Sequence, residues 1–322
     1  NVSDCAYCSG ETDGSGTIVL TELEAGTDLG NVTVPTTISG AQANFTGTLP
    51  NANITLNANL GCAVTKISGK TISGSGVISL TSLAADSNLE NVSNNLTLNG
   101  AIPANASFTN TFGSSTLIIN VAFKTTAAKL TGKTVSGAGT ITLTSLDANS
   151  NLSNISNAMV ISGTQSAFTG SLGSGNLTLN ADLGIATSAK VNALTIGGTG
   201  RITINAGGTL VSNANLSSIS NVMTFSAASG SDAAVVQNSF TGSLGSGTLT
   251  LNGTLGTTAA IVTSKTIAGT GTLNLTDLED TLSASLNNIT TTTVTATLDS
   301  TGNKILGETA NLGDFVITIN GT

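Results

Sequence analysis

The sequence predicts an all-β fold, an elongated β-solenoid of five repeats, on three observations. A motif of about sixty residues recurs five times. Apolar residues alternate with Ser, Thr and Asn in short runs, the period-two signature of half-buried strands. Helical periodicity is almost absent, so no long helix is expected.

The repeat is anchored by Gly-x-Gly followed by an alternating run. The anchors are Gly14-Ser15-Gly16, Gly74-Ser75-Gly76, Gly137-Ala138-Gly139, Gly198-Thr199-Gly200 and Gly269-Thr270-Gly271, and their second glycines are spaced 60, 63, 61 and 71 residues apart. A second anchor follows inside each of the first four units, at Phe45-Thr46-Gly47, Phe108-Thr109-Asn110, Phe168-Thr169-Gly170 and Phe240-Thr241-Gly242. The fifth unit lacks this Phe but ends in LGDFVITIN, which fits the same strand. The repeats run approximately 1–69, 70–132, 133–193, 194–264 and 265–322, within a single repeat domain covering 1–322. Inside a unit, strand-like runs recur at roughly twenty residues, for example 77–80, 95–98 and 116–119. Gly and Asn between them supply turns.

Two architectures fit this pattern. In one, each run of about twenty residues is one coil of a solenoid. In the other, the units form tandem small antiparallel sandwiches or a barrel. A sixty-residue unit is small for an independent core, which favours the solenoid.

Composition excludes several function classes. Only 8% of residues are charged, the net charge is -8 and Arg201 is the single arginine, so no basic patch for nucleic acid exists. No apolar stretch is long enough to span a bilayer. There is no His, which removes Ser-His-Asp chemistry, and no cofactor is expected. The paired acids Glu22/Glu24 and Asp277/Glu279/Asp280 occupy turn positions and read as solvated charges rather than a glycosidase pair. The acidic start (Asp4, Glu11, Asp13, Glu22, Glu24 and Asp28) matches no calcium-loop pattern. Thr pairs such as Thr248/Thr250 do not recur in every coil, as an ice-binding ladder would need. The chain is not expected to be an enzyme.

Three cysteines are present, Cys5, Cys8 and Cys62. A structural disulfide is the expected use, with Cys62 pairing with Cys5 or Cys8. Fifteen Asn-x-Ser/Thr sequons occur, among them Asn31, Asn53, Asn95, Asn154 and Asn288, and are candidates for surface N-glycans.

The runs SGSGVISL, SGAGTITL and GSGTLTLNGTL resemble those of β-solenoid surface proteins of bacteria and archaea, such as filamentous-haemagglutinin-like adhesins. The resemblance implies a secreted, elongated adhesion or scaffold protein and carries over no functional residue.

The phase of the repeat suggests assembly. In units one to four the third strand ends at Asn57, Asn120, Asn180 and Asn252, and the second glycine of the next anchor follows after 19, 19, 20 and 19 residues. The fifth ends at Asn320, two residues before Thr322, and Gly16 is the sixteenth residue; 2 + 16 gives 18 across a join between copies. The sequence therefore predicts a structural subunit of an extracellular filament or cell-surface assembly. Copies would join head to tail by strand pairing between Asp314, Phe315, Val316, Ile317, Thr318, Ile319 and Asn320 of one copy and Asn1, Val2, Ser3 and Asp4 of the next. The partner is thus the chain itself, with no nucleic acid and no membrane span. Asn1 reads as a mature end left by signal cleavage, hence a secreted, cell-surface location. Rival readings are a monomeric adhesin that binds glycan or protein and, more remotely, a carbohydrate-active β-helix enzyme.

Overall fold

The computed structural model describes residues 16–103, 106–226, 235–275, 285–296 and 317–319. It is an all-β solenoid whose strand pairings are parallel, which sets aside the antiparallel sandwiches and barrel. The chain divides into two compact units. The described residues of the first lie within Asn1–Ser145, Asn151–Val160 and Gly173–Gly175, and those of the second within Leu146–Ser150, Ile161–Leu172 and Asn176–Thr322.

In the first unit, strands Ile18–Leu20, Thr36–Ile38, Ile54–Leu56 and Ile72–Ser73 stack as one parallel sheet. Ile18 pairs with Thr36, Thr36 with Ile54 and Ile54 with Ile72, each 18 residues on. A second sheet stacks Gln42–Phe45, Leu60–Ala63, Ile78–Ser82, Leu96–Leu98, Thr116–Ile119 and Thr134–Ser136. The third side of the coils carries turns and single 3-10 turns such as Val64–Lys66 and Ala127–Lys129.

The second unit repeats the scheme. One ladder runs through Gln165–Phe168, Leu183–Thr187, Ile202–Thr209, Met223–Phe225, Leu249–Leu251, Ile267–Leu275 and Ile289–Ala296. Val235–Phe240 and Thr254–Thr257 stack beneath the second half of Ile267–Leu275, and Ile317–Ile319 pairs with Val294–Ala296. The helical elements among the described residues are three 3-10 turns and Ala259–Val262.

Alternation becomes burial in a simple way. The first and third residues of a strand point inward and the second outward, as in Ile54–Leu56, where Ile54 and Leu56 are buried and Thr55 is exposed. Inward columns form because equal residues stack: Ile78 on Leu60, Leu96 on Ile78, Leu117 on Leu96, all buried. Each such side chain contributes about 1.5–3 kcal/mol on burial, which offsets the shortage of large residues.

The coil is 18 residues where no loop is inserted, not the roughly twenty that the spacing of runs suggested. Three coils of 18 leave six residues of a sixty-residue repeat unspent. The residue stacked above Ile54 is therefore Ile72, and the next anchor strand, Ile78–Ser82, begins six residues later on the neighbouring sheet, above Leu60–Ala63. Longer coils take their extra residues in corners. Leu96 pairs with Leu117, 21 on, and a cluster of Phe108, Phe112 and Phe123 fills the widened coil, with ring centroids 4.5 to 5.9 Å apart.

Two glycines separate two kinds of constraint. Gly74, in the Gly-x-Gly anchor, has φ +117, and a Cβ there would stand 2.3 Å from Leu56 O in the coil below. Gly69 has φ +76 with open space around it, and its equivalents Ala193 and Ser264 tolerate φ of 59 and 57. Gly74→Ala is therefore expected to lower stability by about 3 kcal/mol, from strain plus clash. Gly69→Ala should cost only about 1 kcal/mol. Urea unfolding midpoints of the two variants measure the difference; equal midpoints would contradict the close-approach account.

Candidate functional site: the contacts between coils

Three recurring sets of polar side chains lie where one coil meets the next. The clearest set joins the Gly-x-Gly anchors to a buried asparagine in the following coil. Asn94 Nδ2 donates to Gly76 O at 2.8 Å, Gly74 O at 3.1 Å and Leu56 O at 3.2 Å. Asn157 Nδ2 does the same to Gly139 O, Gly137 O and Ile119 O at 2.8, 3.1 and 3.1 Å. Asn221 Nδ2 reaches Gly200 O at 2.8 Å, with Gly197 O and Gly198 O at 3.2 and 3.3 Å. All three are buried, and their Oδ1 atoms have no hydrogen-bond partner. The anchor glycines thus serve a shape: backbone bare enough for the coil below to touch it and for one amide to cap its carbonyls. Val34 and Thr291 take the place of the asparagine in the first and fifth repeats, and both are buried.

A second contact is the motif Gln-x-x-Phe-Thr-Gly, where a new ladder begins. Gln42 Nε2 donates to Leu23 O at 3.0 Å, Gln165 to Leu146 O at 2.8 Å and Gln237 to Leu210 O at 2.8 Å. Each Gln Oε1 accepts the main-chain N–H two residues on. Phe45, Phe168 and Phe240 fill the core beside them. The Thr hydroxyl then donates to a carbonyl of the coil below, Thr46 to Ala25 O and Thr169 to Ala148 O, both at 3.1 Å. The same carbonyls accept the N–H groups of Thr46 and Gly47, and of Thr169 and Gly170. The Phe anchor is legible in sequence; the glutamine three residues before it in three of the four units is the signal sequence reading missed.

The third contact uses lysine. Lys70 Nζ donates to Leu49 O, Pro50 O and Asn51 Oδ1 at 3.1, 2.8 and 2.8 Å. Lys133 Nζ donates to Phe112 O and Ser114 O at 2.8 and 2.9 Å, and Lys265 Nζ to Leu244 O and Gly245 O at 3.1 and 2.9 Å. Burial pushes the Lys70 and Lys133 ammonium groups below the usual lysine range. Beside Lys265 and Asn221 lies a cavity of about 10 Å³, lined otherwise by apolar side chains and glycines, with room for one water.

Cys62 is a free, buried thiol in the strand Leu60–Ala63, and burial pushes its pKa to about 12. Its inward position stacks it under Leu80 in the core, and the partners expected for a disulfide lie outside the described residues. Cys5 and Cys8 lie outside the described residues, as do Asn1, Val2, Ser3, Asp4, Asp314, Phe315, Val316 and Asn320. Ile317, Thr318 and Ile319 form the strand on Val294–Ala296. Asn31, Asn53, Asn95, Asn154 and Asn288 are all exposed. Glu22 and Glu24 are exposed turn residues, and Asp277, Glu279 and Asp280 lie outside the described residues. Asp28 is exposed, its Oδ1 accepting Gly30 N–H at 2.9 Å. Among the described residues, no three His, Cys, Asp or Glu side chains cluster as metal ligands. No helix there is long and apolar enough to cross a membrane. The Thr column Thr203, Thr224, Thr250, in which Thr224 is buried, breaks at Ala268.

Replacing the amide of Asn157 tests the first contact. Asn157→Val leaves the anchor carbonyls uncapped and is expected to cost about 2 kcal/mol. Asn157→Asp should cost more, because a buried carboxylate has no hydrogen to donate to carbonyl oxygens. Chemical denaturation checks the order; Asp being tolerated better than Val would contradict the capping role. No protein family, curated protein or solved structure matches the chain.

Proposed function

We propose that the chain is a structural subunit of an extracellular filament or cell-surface assembly. Copies join head to tail by strand pairing between the segment 314–320 of one copy and residues 1–4 of the next. The observation that carries this reading is the uniformity of the coil-to-coil contact. Within each unit a coil is held by parallel main-chain hydrogen bonds and by inward Leu, Ile and Val on like residues. A contact made this way does not depend on which coil supplies it. A strand can hydrogen-bond along both edges, so a coil from another copy laid on such an edge repeats the internal geometry.

Ile317–Ile319, the strand at the heart of the 314–320 segment, already pairs with Val294–Ala296 as internal strands pair. In the assembly its second edge would receive the next copy. The extracellular setting accords with the exposed sequon asparagines, where surface glycans would project from outward positions.

Negative-stain microscopy of native material against a variant lacking 314–322 tests the reading. Filaments are expected from the full chain and dispersed particles from the deletion. Dispersed particles from the full chain at high concentration, or filaments from the folded deletion, would overturn it.

A further inference from the structure

Charge is scarce in this chain, yet in the first unit it is sorted by coil. The turn side of that unit stacks Asp28 on Thr48, Gly69 N–H on Asn88 O and Leu89 on Phe112. Lys70 and Lys133 reach the carbonyls of Pro50 and Phe112 in the coils next to their own. Followed along the stack, the turns keep a three-step order. The first is acidic, with exposed Glu24 and Asp28. The second, Thr46 to Asn51, is uncharged. The third is basic, with half-buried Lys66. The order then repeats: exposed Asp86 and Glu90, uncharged Thr109 to Thr111, half-buried Lys129.

Neighbouring turns lie in near register, since Thr46 N–H bonds Ala25 O and Asn110 Nδ2 bonds Asp86 O. Lys70 and Lys133 are committed to main-chain carbonyls, so Lys66 and Lys129 are the cations this side presents.

We propose that this side is a lateral interface between two antiparallel copies of the chain. The order acidic, neutral, basic reads basic, neutral, acidic on an inverted copy. Every acidic turn then faces a basic one and every neutral turn a neutral one. Parallel copies in register would oppose like charges. A two-fold axis across the stack generates the arrangement, so the contact is self-complementary and closed. A polyanion or polycation fits less well, because each would meet its own sign every third coil.

Spacing keeps the pattern readable. Coils stack about 4.8 Å apart, so turns of one sign recur every 14 Å or so. That exceeds the Debye length of about 8 Å at physiological ionic strength, so charges three coils apart do not blur together. Exposed ion pairs are individually weak, and the pairing is accordingly multivalent and salt-sensitive. It uses the side of the stack and is independent of end-to-end joining.

The antiparallel register is specific. Lys66 faces the second copy's Asp86 and Glu90, while Lys129 faces the second copy's Glu24 and Asp28. Within one chain Lys129 is five coils from Glu24, about 24 Å, beyond a zero-length cross-link. The test mixes unlabelled and 15N-labelled full chain at low salt, adds a carbodiimide that joins amine to carboxylate directly, and maps the products by mass spectrometry. Mixed-isotope links from Lys129 to Glu24 or Asp28 are expected, falling at least tenfold in 0.5 M NaCl. They should also vanish in the variant K66Q/K129Q, shown to be folded by circular dichroism, with Lys129 replaced by unreactive Gln and Lys66 no longer anchoring the pair; K66Q alone should weaken the Lys129 links severalfold. Links confined to single chains, mixed links of Lys66 to Asp86 without those of Lys129 to Glu24 or Asp28, or no mixed link above the high-salt background would each overturn the proposal. Loss of filaments in the 314–322 deletion would leave these links unchanged.

Discussion

Everything in this molecule follows from main chain resting on main chain at the spacing of a parallel ladder, about 4.8 Å. At that distance a residue's nearest non-local neighbour is the one 18 positions away, so inward positions must repeat as apolar columns and outward ones as small polar columns. Charge has no place inside, and the few aromatics among the described residues that fit there are phenylalanines such as Phe45 and Phe108. Where the coil turns a corner, even a Cβ is too much, as at Gly74 beneath which Leu56 O lies. The composition that first looks like low complexity is what a narrow coil permits: Leu, Ile and Val inward, Ser, Thr and Asn outward, Gly at the corners.

The same spacing explains the polar chemistry. Corners interrupt the ladder and leave carbonyls without partners, and burying such groups uncapped is costly. In most repeats a side chain supplies the donor: the amide of Asn94, Asn157 or Asn221, the amide of Gln42, Gln165 or Gln237, the ammonium of Lys70, Lys133 or Lys265. In repeat four Leu194 stands where repeats two, three and five place lysine. Nothing in the structure explains that exchange. These side chains cap backbone carbonyls and so join one coil to the next.

Much of this was legible beforehand. Period-two alternation and the recurrence of Gly-x-Gly gave strands and repeats because both depend on local geometry. Parallel pairing was not local, and it rested on the small size of the unit. The 18-residue coil was hidden because sequence repeats at sixty, and only stacking reveals that three coils leave six residues over. Asn94 and its equivalents looked like one more asparagine among many, since their role depends on carbonyls of the preceding coil, such as Gly76 O for Asn94. The burial of Cys62 was hidden for the opposite reason: its position in a linker by sequence says nothing of which way its side chain points, and the strand turns it inward.

A stack held by repeated backbone contacts is a material as much as a molecule, and the proposed assembly role rests on that. The most direct measurement of that claim is X-ray fibre diffraction from aligned native filaments. Coils stacked along the filament place the inter-strand reflection, near 4.8 Å, on the meridian. The same reflection on the equator, with coils stacked across the filament axis, would contradict the account.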